Sequence, residues 1–109
     1  MDITDVILKM EPRPTAIFAL NDLMALGALR AAAEAGYAIP ADLAVVGYDD
    51  LELAHFTNPP LTTIAQPKKE VGAQAVNLLV QRMSQRNRPP TRLVLEPELI
   101  VRRSTQQAL

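Results

Sequence analysis

The sequence predicts an α/β fold built on a parallel sheet, and three observations carry that expectation. Short apolar runs, "TAIFAL" at 15–20 and "LAVVGY" at 43–48, have the length and branching of strands buried on both faces. Between and after them lie longer segments with apolar residues at three-and-four spacing, as amphipathic helices require. Each strand-like run also leads to a polar pair, Asn21-Asp22 or Asp49-Asp50, where an open α/β sheet takes its ligands.

The elements follow in order. Residues 2–10 put Ile3, Val6, Ile7 and Met10 on one helical face, and Pro12 and Pro14 end that helix. The strand of 15–20 passes through Asn21-Asp22 into a helix reaching Ala35, with Gly36 as its stop and Pro40 barring continuation. That helix is apolar almost all round, relieved by Arg30 and Glu34. Such a helix contacts the sheet on one side and something else on the other, a subunit partner for example, with Gly27 and Ala28 allowing close approach. After the strand of 43–48, "LELAHF" reads as a short helical turn. Asn58-Pro59-Pro60 exclude a helix, and β-branched Thr62, Thr63 and Ile64 read as extended. Pro67 suits the first position of a helix over 67–86, whose broad apolar face holds Gly72, Ala73, Val76, Leu79, Val80 and Met83. "NRPPT" at 87–91 is a turn, and "RLVLEPELIVRRST" gives two strand-like runs broken at Pro97, before a frayed "QQAL" tail. Strand–helix–strand units of this kind imply right-handed crossovers.

At 109 residues, with 49% hydrophobic and 21% charged side chains, the chain is one globular domain or a part of one. It has no run of about 18 apolar residues, so nothing in it spans a membrane as a helix. Asp2 and Asp5 stand where an export signal carries positive charge, so nothing in this stretch marks the chain for export. The absence of cysteine rules out disulfides and thiolate metal sites, and His55 is the single histidine, too little for a zinc site. Residues 1–54 carry three basic and nine acidic side chains, and residues 55–109 carry eight and three. The bases are nevertheless scattered, with Arg86-Asn87-Arg88 and Arg102-Arg103 the only tight clusters and no aromatics interleaved. They read as solvated surface rather than a nucleic-acid face. A phosphate loop, a nucleophile elbow and metal-ligand spacing are all missing, so the sequence suggests neither an enzyme nor a cofactor.

The candidate site residues each have a plain structural reading beside a functional one. Asn21 and Asp22 are both good helix caps; the functional reading makes Asn21 a hydrogen-bonder to a polar ligand and Asp22 the cap. Asp50 reads as a cap for the turn at 51–56. Asp49, closer to the strand end, could accept two hydroxyl hydrogens of a sugar. Phe18 reads as core, or as an aromatic facing a ligand ring. His55 reads as a surface or interface histidine, and Gln66 as a linker or cap residue.

The stretch "PTAIFALNDLMALGALRAAAEAGYAIPADLAVVGYDDLELAHFTNPPLTTIAQP" closely resembles the effector-binding region of the LacI/GalR family of transcriptional regulators, and "LEPELIVRRST" resembles the close of those proteins. The resemblance runs from about Pro14 to Thr105 and rests on four linked motifs, "AxNDxMAxGALRA", "VVGYDD", "PPLTTIxQP" and "ELIVRRST". It implies the C-terminal lobe of a periplasmic-binding-protein-like fold, an α/β parallel-sheet sandwich, here incomplete. It also implies a repressor whose small effector, a sugar, shifts operator affinity through a hinge-type change. By motif, Asn21, Asp49 and Gln66 match effector contacts of sugar-responsive relatives. Phe18 matches a stacking position of a purine-responsive one. Leu26, Gly27, Arg30, Leu53 and Phe56 fall on the segments that resemble the family's dimer surface, so a homodimer or higher self-association is expected. On this reading the chain starts about two-thirds into a family protein, without the DNA-binding headpiece through which operator DNA is bound. The helix within 66–88 would pack on an N-terminal lobe that is missing, and the isolated chain would bind sugars weakly or not at all. A sugar-binding protein of a membrane importer shares the fold and is the alternative.

Overall fold

The computed structural model describes residues 3–106, so Asp2 and the tail residues 107–109 lie outside the described residues. The chain forms two compact units, one running to Ala65 and resuming at Glu98, the other Gln66–Pro97.

The first unit opens with helix α1 (Ile3–Leu8), strand β1 (Ala16–Phe18) and helix α2 (Asp22–Glu34). Strand β2 (Ala44–Val46), a 3₁₀ turn (Glu52–His55) and strand β3 (Thr63–Ala65) follow. Helix α3 (Lys68–Ser84) belongs to the second unit, and strand β4 (Glu98–Ile100) returns to the first. β1 and β2 pair in parallel with Ile17 opposite Val45, so β1–α2–β2 is the expected strand–helix–strand unit. Beyond β2 the pattern turns mixed: Thr62 bridges to Val46 in parallel, while β3 and β4 pair antiparallel with Ile64 opposite Leu99.

The core lies between α2 and this strand layer. Ala25, Ala28 and Ala32 of α2 are buried with Leu43, Val45 and Leu61, and the small side chains let the helix approach the sheet closely. Helix α1 packs against α2 and buries Thr4 and Leu8, so part of the second side of α2 is covered by the chain itself. Ala28, expected to admit a partner, is a core residue at 3% exposed, whereas Leu23, Met24 and Leu26 remain on the surface. α2 ends as expected. Ala35 caps it, Gly36 takes φ +84°, and Tyr37 N donates to Ala32 O at 2.9 Å, satisfying a last-turn carbonyl.

Three sequence expectations are corrected here. β1 is not buried on both faces: Ala16 and Phe18, which share one face of the strand, are exposed, while Ile17 on the other packs against the core. Pro67 stands just before α3, as its N-cap, rather than at the first helical position. The run 92–96 forms no strand; Leu93 and Val94 are exposed there, without a partner strand to satisfy their backbone.

In the second unit α3 buries none of its residues. Arg82 Nη1 donates to Arg88 O at 2.9 Å, and Arg88 Nη1 to Gln81 Oε1 at 2.8 Å, folding the following turn back on the last helical turns. Val76, Leu79, Val80 and Met83 form an apolar stripe between 58% and 68% exposed, at the spacing of one helical face.

Candidate functional site

Two parallel strands and the segment beside them deliver their carboxyl ends to one place. Asp22 N donates to Tyr48 O at 3.0 Å, Gly47 N to Thr62 O at 2.9 Å and Asp49 N to Ile64 O at 2.8 Å. The stretches after β1, after β2 and through β3 are therefore laced together by their own backbones.

Asn21 starts α2. It is extended at φ −155° and ψ 172°, and its Oδ1 accepts from Met24 N at 2.9 Å, the geometry of an N-cap. The functional reading gave that role to Asp22, and the structure reverses it. Asp22 is completely buried; its Oδ1 accepts from Thr63 Oγ1 at 2.6 Å and its Oδ2 from Leu51 N at 2.7 Å. A carboxylate so enclosed is tolerable because both oxygens are hydrogen-bonded and the positive end of the α2 dipole lies beside it. Gly47 is part of the same contact. A Cβ added to it would fall on Asp22 Oδ1 and within 2.9 Å of Leu61 Cδ2, so only glycine lets the strand end meet the helix start.

Asp49 and Asp50 both have positive φ, 120° and 51°. Each such residue costs on the order of 1–3 kcal/mol and persists only where its surroundings enforce it. The enforcement is visible on every side: Asp49 N is held by Ile64 O, Asp50 N by Thr63 Oγ1 at 3.3 Å, and Leu51 N by Asp22. Asp50 does not cap the following turn, which begins at Leu51 without a side-chain cap. Its Oδ1 instead accepts from Arg102 Nη2 at 2.8 Å.

Arg102 is therefore not the solvated base expected of an Arg-Arg cluster. Its side chain is 12% exposed, Nη1 donates to Leu61 O at 2.9 Å, and Nη2 lies 3.2 Å from His55 Nε2. Its backbone N–H reaches Thr62 Oγ1 at 2.8 Å. Two residues on, Ser104 Oγ donates to Val45 O at 2.6 Å and accepts from Thr62 N at 2.8 Å. Arg102 and Ser104 turn inward while Arg103 between them is exposed, in the turn that follows β4.

Of the sequence-predicted effector residues, Asn21 and Asp49 lie half-buried at this strand edge, and Phe18 closes β1 at 61% exposed rather than in the core. Gln66 opens the second unit and is exposed, its carbonyl accepting from Lys68 N at 2.8 Å. Among the expected interface residues, Phe56 is 79% and Leu26 40% exposed. Leu53 is half-buried. Gly27 and Arg30 border a hollow with Asp5, and Arg30 pairs with Glu34 at 3.0 Å. No trio of metal-ligating side chains occurs among the described residues, and no described helix is long and apolar enough to cross a membrane.

Residues 2–105 match the periplasmic binding protein-like domain family. The chain is 46% identical, over 96% of its length and 31% of the relative's, to the HTH-type transcriptional repressor PurR of Vibrio atlanticus. It is 43% identical to PurR of Haemophilus influenzae, over 94% of this chain and 32% of that one. Among solved structures, a transcriptional regulator CelR–cellobiose complex superimposes with a TM-score of 0.86 at 42% identity, over 93% of this chain and 31% of that one. A LacI family transcriptional regulator from Enterococcus faecalis with bound ribose gives 0.84 at 42% identity, over 94% and 38%. A lac repressor dimer bound to operator and an anti-inducer gives 0.82 at 39%, over 94% and 31%. The chain thus spans about a third of the length of the curated relatives it matches, and those relatives are transcriptional regulators.

Proposed function

The chain belongs to the periplasmic binding protein-like family, in its LacI/GalR branch, and we propose that it carries one wall of the effector site of a ligand-responsive transcriptional repressor. The observation behind this reading is the turn after β2. Two adjacent acids hold positive φ there, and the second of them, Asp50, is anchored to Arg102. Backbone strain maintained on every side at a strand's carboxyl end is what a ligand-presenting loop requires.

Asp49 accepts hydroxyl hydrogens in a charge-assisted way, and Asn21 contributes the amide nitrogen that its capping oxygen leaves unused. That set suits a sugar. The exposure of Phe18 favours a second reading, a planar ring stacked on its face. Leu26, Gly27, Arg30, Leu53 and Phe56 serve a homodimer, and operator DNA is bound through a headpiece in the cytoplasm. The chemistry read here is binding, in keeping with relatives that are transcriptional regulators.

The test is a nitrogen-15 NMR titration of the chain with D-ribose and with cellobiose. Saturable shifts centred on Asn21 and Asp49 are expected. Shifts that spare both residues would rule the site out.

A further inference from the structure

We infer that Arg102 is the positioning residue of the effector wall: it holds Asp50, and through it the strained turn that presents Asp49. The inference rests on the reading of Asp49 as an effector contact. Its physical basis is the chain of bonds across the site. The guanidinium spans Leu61 O and Asp50 Oδ1 with two different nitrogens, at 2.9 and 2.8 Å. Arg102 is itself fixed by its backbone bond to Thr62 Oγ1 and by 88% burial of its side chain, the complement of 12% exposed. A planar fork with two fixed acceptors defines an orientation, which a single ammonium does not.

Asp49 has φ 120° and Asp50 φ 51°, so the turn stores strain that relaxes if one of its restraints is lost. The other restraints, Ile64 O on Asp49 N, Thr63 Oγ1 on Asp50 N and Asp22 on Leu51 N, act on backbone amides. Arg102 supplies the charge-assisted bond to the turn's own side chain, from 52 residues away. The carboxylate of Asp50 is thereby occupied by the guanidinium, which anchors the turn on which Asp49 stands. His55 beside the guanidinium, 4.0 Å from Asp50 Oδ1, extends the same cluster toward solvent.

The experiment follows amide exchange by NMR in the intact chain, in Arg102→Met and in Arg103→Met, an exposed neighbour. The Ala44 amide, bonded to Thr15 O in the β1–β2 ladder, is the internal reference. In Arg102→Met the Asp49 amide should exchange about tenfold faster relative to Ala44, and the Asp49 and Asp50 shifts should move. Arg103→Met should change neither. A merely structural arginine would speed all amides together, and an unchanged ratio overturns the inference. If Arg102→Met does not fold, Asp50→Asn removes the charge while keeping a residue that tolerates positive φ. The same selective loosening is expected there, and its absence is equally decisive. A D-ribose titration separates the two claims. Should Asp49→Ala leave ribose shifts intact while Arg102→Met still loosens the turn, the effector reading fails and the restraint stands.

Discussion

Asn21, Gly47 and Asp22 show how much of the site is decided by single residues. Asn21 has two separable duties, because its cap uses Oδ1 and leaves the amide nitrogen for a ligand. Asn21→Asp should therefore keep the melting temperature while abolishing the ribose response at this position. Asn21→Ala should lower stability as well, by about 1 kcal/mol, the usual cost of a lost cap. Equal behaviour of the two variants in thermal unfolding would show that the cap is idle. Gly47 is constrained by contact rather than by φ. Gly47→Ala drives a methyl into the buried Asp22 carboxylate and Leu61, and urea unfolding should show a loss of about 1–3 kcal/mol, as overpacking costs. A neutral result would mean that α2 can shift away from the strand end.

At the scale of elements, the alternation of strands and helices was legible because it is written in local periodicity. The β1–α2–β2 unit and α3 fall within the runs that predicted them, and the polar pairs do stand at strand ends. What stayed hidden is set by pairing at a distance. Asp22 meets Thr63 across 41 residues and Asp50 meets Arg102 across 52, so neither partner is marked in its own neighbourhood. From the sequence, a cap for the turn that follows is the nearest employment for Asp50. The structure gives it a stronger one. The antiparallel β3–β4 pair was hidden for the same reason, as was the idle run 92–96: a strand needs a neighbour, and the sequence does not name it.

For the molecule as a whole, two kinds of surface matter. The stripe of Val76, Leu79, Val80 and Met83 on α3 is a continuous apolar row, and such rows promote association. Light scattering should show mass rising with concentration, with Val80→Glu returning it toward one chain. A stable monomer at high concentration in the unaltered protein would contradict this. The other surface is the strand edge, on which the proposed function depends. Its most direct test is the dissociation constant for D-ribose, measured by NMR in the unaltered chain and in Asp49→Ala. If Asp49 is the effector contact, the loss of a charge-assisted hydrogen bond worth about 1.5–3 kcal/mol should weaken binding by at least tenfold. Equal dissociation constants in the two proteins would contradict it.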